Sequence, residues 1–218
     1  VLRKLNEDAL VRGEEKQLFD FAELVFIRQA YLERRDPYPD LCSHCAVHGH
    51  GVATSLRPKA MELLHVEPSF LCHLACPQCI PPELRPKIKT PPYNMPLDMF
   101  ENMLIELRAE GVKSIRFVHF EGRGDPMMNP QLGEMVTTTK RLYAGSFTMV
   151  TTHGNYPFRR WLVDSGLDVL RLSIDGAYQE SYEKYRIGGN LREALELMRR
   201  IRDERGQTRT ALEVEWKY

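Results

Sequence analysis

From residue 61 onward the chain alternates short apolar runs with amphipathic stretches, and that alternation narrows the folds open to it. Residues 61–67, 114–120, 147–152, 169–174 and 212–218 read as five strands. Residues 97–110, 130–144, 157–165 and 190–205 read as helices between them. The last is strongly amphipathic, with Leu191, Ala194, Leu195, Met198 and Ile201 on one face. Residues 80–96 hold six prolines and read as a loop. Five strands joined by four crossovers predict an α/β fold, a parallel sheet with helices outside and right-handed connections. In such sheets chemistry gathers at the carboxyl ends of the strands. Every unusual segment of this sequence lies just after a predicted strand.

The first 58 residues read differently. Residues 1–40 carry helical apolar spacing, including Leu18, Phe21, Leu24 and Val25, and Asp36-Pro37-Tyr38-Pro39 ends the run. Cys42-Ser43-His44-Cys45 and a Gly/His-rich stretch follow as a loop, with a boundary near residues 50–58. The expected organisation is a helical segment with a Cys-x-x-Cys loop over 1–58 and an α/β domain over 59–218. The 218 residues suffice for one domain plus an appendage or for two small domains. The chain starts at Val1 and stops at Tyr218 within a predicted strand, and it reads as a fragment of a longer protein.

Thirty basic and thirty acidic residues cancel, which argues against a dedicated nucleic-acid binder. No apolar run approaches the ~18 residues of a membrane span, and no signal segment opens the chain. All five cysteines fall between Cys42 and Cys79. An odd number so closely set makes a poor disulfide framework, and without an export signal the expected location is the reducing cytoplasm.

Cys72-His73-Leu74-Ala75-Cys76-Pro77-Gln78-Cys79 has the spacing C-x3-C-x2-C. Three thiolates so close together can surround one compact inorganic object. On a cubane iron–sulfur cluster they leave one iron without a protein ligand, open to a substrate or cofactor. A zinc site would need a fourth ligand, for which His73 is the local candidate.

The segment from Val66 through Cys79 resembles the cluster loop of radical S-adenosylmethionine enzymes, and the likeness continues in order over residues 61–218. It implies a partial parallel (β/α) TIM-like barrel of five to six strands, the sixth lying beyond Tyr218. It also implies a [4Fe-4S] cluster on Cys72, Cys76 and Cys79, with S-adenosylmethionine chelated to the open iron. In that family an electron from the cluster cleaves the sulfonium, and the resulting 5′-deoxyadenosyl radical takes a hydrogen atom from the substrate. Gln78 departs from the pattern, since the family usually has an aromatic residue before the third cysteine.

Four later segments extend the resemblance. Gly122-Arg123-Gly124-Asp125-Pro126 is similar to the family's Gly-x-Gly-Glu-Pro, which binds the methionyl amino group, with Asp125 in place of Glu. Read alone, the same stretch is good turn chemistry. Thr151-Thr152-His153-Gly154-Asn155 resembles a Thr-Asn-Gly turn, with His153 in the Asn place. Ser173-Ile174-Asp175-Gly176 resembles Ser-x-Asp-Gly, and Arg186, thirteen residues after Ser173, matches an Arg that binds the methionyl carboxylate. The implied cofactor-binding set is Gly122, Gly124, Asp125, Pro126, Thr152, Ser173, Asp175 and Arg186. His153 and His119 are pocket candidates only. Glu213, Glu215 and Trp216 lie on the fifth strand, where register decides which of them faces inward.

Cys42 and Cys45 form half a site. Nearby histidines would complete a zinc site, or further residues would complete an auxiliary iron–sulfur cluster of the kind carried by SPASM domains. Three functions follow: a radical enzyme, a zinc-stabilised binding module with structural cysteines, and an electron-transfer protein. For the first, the expected partners are a small-molecule or peptide substrate and an electron donor such as flavodoxin or ferredoxin. No catalytic side chain is assigned.

Overall fold

The computed structural model describes residues 29–30, 33, 59–79, 93–208 and 210–218. Nearly all of the expected N-terminal helix lies outside the described residues. So do the boundary near 50–58, the Cys42/Cys45 pair and most of the proline-rich loop. The chain divides into two compact units: Val1–Ala60 with Ile105–Lys113, and Met61–Leu104 with Ser114–Tyr218.

Five strands make one open sheet in the order of the sequence: β1 Ala60–Val66, β2 Ser114–Phe120, β3 Phe147–Thr152, β4 Val169–Ser173 and β5 Glu213–Lys217. The ladders from β2 to β5 are parallel. The β1–β2 edge is extended by the Glu121 N–H, which donates to the Val66 carbonyl at 3.1 Å. Sequential parallel neighbours require a crossover between each pair. These are α1 Leu97–Ala109, α2 Leu132–Leu142, α3 Trp161–Asp164, and the pair α4 Gln179–Tyr185 and α5 Leu191–Arg205. The alternating pattern therefore produced the expected α/β sheet, with strand limits displaced by a residue at most.

Alternation sorts the strand side chains. Val118 and Phe120 of β2, Val150 of β3, and Leu170 and Leu172 of β4 are fully buried. Phe100 of α1 packs against Phe120 at 5.8 Å between ring centres. The buried stripe of α5 is Leu191, Ala194, Leu197 and Ile201. Leu195 and Met198, placed on that face by the sequence reading, are half-buried. The stripe runs through Leu197, which points about 100° round the helix from Met198.

Helix limits differ where side chains compete for the backbone. The helix expected over 130–144 begins at Leu132, after a 3₁₀ turn over Pro126–Met128. Between them Asn129 is fully buried: its Oδ1 accepts from the Gln131 N–H, and its Nδ2 donates to the carbonyls of Pro68 and Met95, each at 2.9 Å. The stretch 157–165 supplies only a four-residue helix before Gly166, whose φ of +81° needs glycine. Helix α4 was not expected, because Tyr182 is its only buried residue and no apolar periodicity announces it.

Asp168, just before β4, clamps the start of two strands. Its Oδ2 accepts from the Thr148 N–H at 2.6 Å, the Thr148 hydroxyl at 2.8 Å and Lys140 Nζ of α2 at 2.5 Å. Replacing it strands three donors. Asp168→Ala should lower stability to urea by about 2–3 kcal/mol, with Asp168→Asn recovering part of the loss. An unchanged unfolding midpoint in Asp168→Ala would remove the clamp from this account.

Candidate active site

The loop from Ser69 to Cys79 leaves β1 and is held by backbone bonds from three directions. Phe70 N–H donates to Tyr93 O at 3.0 Å, Asp125 N–H to Leu71 O at 2.7 Å, and Ala75 N–H to Ile187 O at 3.0 Å. The close approach of the strand-2 loop depends on glycine. A Cβ at Gly124 would lie 2.2 Å from Ser69 O and 2.7 Å from Leu71 O, and one at Gly122 would meet the Glu67 side chain at 2.3 Å. Gly124 therefore admits the cysteine loop itself.

None of Cys72, Cys76 and Cys79 is in a disulfide, and all three line one cavity of about 390 Å³. Gly122, Gly124 and Asp125 after β2, Thr152 at the end of β3, Ser173 at the end of β4, and Arg186 after α4 line the same space. Two expected residues stand behind this wall. Pro126 is buried at the start of the 3₁₀ turn. Asp175 accepts from Arg186 Nε and so aims the guanidinium, whose Nη1 lies 3.6 Å from Cys76 Sγ. Gln78 is exposed on the cysteine loop.

Asp125 is the hub of the site and only 4% exposed. Its Oδ1 accepts from the Met127 N–H at 2.9 Å, its Oδ2 from the His153 N–H at 3.0 Å, and the Thr152 hydroxyl reaches both oxygens. Three protein donors thus meet a group with about four acceptor positions. Asp125 also lines the cavity.

His153 is as deeply buried as Asp125. Burial, with smaller contributions from His73 and Arg186, pushes its imidazole down to about 4 despite the opposing pull of Asp125. It is neutral near pH 7. Nδ1 accepts from the Asn155 N–H at 3.1 Å, so the proton resides on Nε2. Nε2 is 3.2 Å from Asp125 Oδ2, yet the approach is too oblique for a hydrogen bond. The ring stacks on Tyr156 at 4.9 Å and meets His73 edge-on at 4.6 Å.

The sequence reading did not single out His65, Glu121, Arg123 or Thr151, which also line the cavity. His65 and Thr151 sit near the carboxyl ends of β1 and β3. The rule that chemistry gathers there was the available signal. His119 is held by its neighbours: Nε2 is 2.8 Å from Thr151 Oγ1 and 3.1 Å from Glu121 Oε2. Glu215 pairs inward with Arg171, and Trp216 donates from Nε1 to Ile174 O at 2.8 Å.

Among the described residues no three His, Cys, Asp or Glu side chains converge tightly enough to hold a single metal ion. The three thiols line one cavity. The family model of the radical SAM superfamily matches residues 66–211. The chain belongs to the radical SAM superfamily. A [4Fe-4S] cluster and S-adenosylmethionine are features of this family of enzymes. The radical SAM region is 27% identical over 127 residues to GTP 3′,8-cyclase of Lactiplantibacillus plantarum, covering 57% of this chain and 37% of that protein. It is 27% identical over 135 residues to GTP 3′,8-cyclase of Chlorobaculum tepidum, covering 60% and 38%. The chain thus spans less than two fifths of the curated relatives it matches. In fold it resembles Streptococcus suis SuiB bound to S-adenosylmethionine, with a TM-score of 0.52 and 17% identity over 72% of this chain and 34% of that one. It also resembles anSMEcpe with bound AdoMet, with a TM-score of 0.51 and 16% identity over 71% and 42%. These neighbours identify the radical SAM sheet as a partial TIM barrel.

Two outcomes test this geometry. Gly124→Ala should displace the cysteine loop and lower the iron bound after anaerobic reconstitution severalfold, while the far-ultraviolet circular dichroism of the sheet stays native. Full iron loading would contradict the packing argument. The depressed imidazole of His153 means that the unfolded chain binds a proton the folded chain refuses. Its contribution to stability is complete above pH ~6.5 and is lost as pH falls toward about 4. Urea titrations across that window should show a decline of up to about 3 kcal/mol that His153→Gln flattens.

Proposed function

We propose that the chain is the radical-generating domain of a radical SAM enzyme, with Cys72, Cys76 and Cys79 as the ligands of a [4Fe-4S] cluster. The observation that carries this reading is the meeting of these thiols with Asp125, Ser173 and Arg186 on one cavity at the carboxyl ends of four parallel strands. When bound, the cluster and S-adenosylmethionine supply a one-electron cleavage that yields a 5′-deoxyadenosyl radical for hydrogen abstraction.

The chain's own residues bind and orient. Arg186 brings a positive charge to Cys76 Sγ, where it offsets part of the negative charge of a thiolate-bound cluster. Asp175 holds that guanidinium in place, leaving its far side for a methionyl carboxylate. The Asp125 carboxylate, on the wall of the cavity, suits a methionyl ammonium, and Ser173 lines the same space from β4. Thr152 and His153 keep the Asp125 carboxylate turned toward the cavity. A neutral His153 adds no positive charge that would repel the ammonium.

Partners follow from this chemistry. The cluster needs a one-electron donor such as flavodoxin or ferredoxin, and the reducing cytoplasm suits both. The substrate is a small molecule or a peptide, and Cys42 and Cys45 are available for a second metal, either zinc or an auxiliary cluster. Among the described residues no helix is long and apolar enough to cross a membrane.

Anaerobic reconstitution with iron and sulfide, then addition of S-adenosylmethionine and dithionite, tests the reading. The wild-type chain should bind about four irons and release 5′-deoxyadenosine. Cys76→Ala should lose both, and Arg186→Gln should keep the iron but lose at least tenfold in 5′-deoxyadenosine. A loaded wild-type chain that releases none would overturn the proposal.

A further inference from the structure

The inner face of the sheet changes character along the strands. Near the amino ends it is apolar, with Phe117 of β2 meeting Phe147 of β3 at 5.8 Å between ring centres. Two residues further along β2 it becomes polar, although Met149 and Val169 still stand beside His119 in the ladder. His65 and His119 stack at 5.7 Å, and His119 contacts the Thr151 hydroxyl. Thr151 is the ladder partner of Arg171, and Arg171 of Glu215. One step beyond, Ser173 pairs with Lys217 in the ladder, and Glu121 follows His119. Barrel interiors are normally filled by layers of branched apolar side chains. Glu121 with Thr151, Arg171, Ser173, Glu215 and Lys217 makes a layer that is polar from β2 to β5, and such a layer leaves groups that need water or a polar ligand.

Two cations in this layer have donors to spare. Arg171 uses Nε for Glu215 Oε2 at 2.7 Å, and among the described residues neither its Nη groups nor Lys217 Nζ has a carboxylate partner. Both lie close enough to His119 to disfavour its protonation, behind the larger effect of burial. The layer directly adjoins the cofactor cavity, because His65, Glu121, Thr151 and Ser173 line both.

We propose that Arg171 and Lys217 form an anion subsite on the inner face of the sheet, which holds a carboxylate or phosphate of the substrate beside the cofactor cavity. This rests on the radical SAM reading above and names the substrate class for that site. Arg171 offers a planar pair of donors from its Nη groups, and Lys217 adds a point charge from the edge strand. His119, whose Nε2 is taken up by Thr151 and Glu121, is held toward its neutral form by burial and adds no second cation. Glu121, held by the two histidines, keeps the anion away from the β1 side and toward β4 and β5.

Isothermal titration calorimetry on the reconstituted chain with S-adenosylmethionine present tests this. GTP and inorganic phosphate probe the phosphate class, and succinate probes the carboxylate class. At least one class should bind with one-to-one stoichiometry and weaken as salt rises. Lys217→Met and Arg171→Gln should each raise that Kd about tenfold, which corresponds to about 1.4 kcal/mol. Arg200→Gln, an exposed residue on the outer helix α5, should leave it unchanged. The class that binds identifies the anion. Binding of neither class, or binding indifferent to Lys217 and Arg171, would overturn the subsite. Iron content and 5′-deoxyadenosine release from the same samples separate the outcomes: if both are normal while no anion binds, only the subsite fails.

Discussion

A single buried carboxylate joins the loops of this site. The backbone N–H of Asp125 holds Leu71 of the cysteine loop, while its side chain holds Met127 in the 3₁₀ turn and Thr152 and His153 at the end of β3. A carboxylate taken out of water costs several kcal/mol unless donors replace the lost hydration. Asp125 meets that requirement with three protein donors from two different loops. Its demand for partners thus dictates where the loops after β2 and β3 come together. The cysteine loop follows by way of Leu71, and with it the space between the thiols and Arg186.

The second constraint is steric. Gly124 stands against the backbone of Ser69–Leu71, and no side chain fits there. Asn129 then fastens the same region from behind, with one amide group bonded to Pro68 and Met95. Together these contacts make the cysteine loop part of the folded sheet rather than an appendage to it. The cost of ordering the loop's cysteines is thereby met during folding. Arg171 and Glu215 lie one step deeper on the same inner face than Ser173 and Lys217.

Much of this was legible in the chain itself. Strand periodicity placed all five strands because parallel strands are short, apolar and bounded by turn residues. The C-x3-C-x2-C spacing is local, so the three thiols had to lie near one another. The loops ending in Asp125, Thr152, Ser173 and Arg186 could be read as members of one site because each follows a strand or its crossover. Helix α4 and the Asn129 hub could not be read, since one rests on a single buried tyrosine and the other on bonds to carbonyls more than thirty residues away.

The sequence by itself determined the alternation of elements, the parallel sheet and the family, because these depend on local spacing and on the side chains present. Only the tertiary structure decided what the residues do for one another. Gly124 proved to admit a backbone, Asp125 to hold three segments, and Asp175 to aim Arg186. Register decided that Glu215 faces Arg171 while Trp216 turns back to Ile174. The physical reason is that side-chain direction in a strand alternates with every residue, so a shift of one position exchanges the two faces. That choice is made by the whole ladder, and no short stretch of sequence contains it.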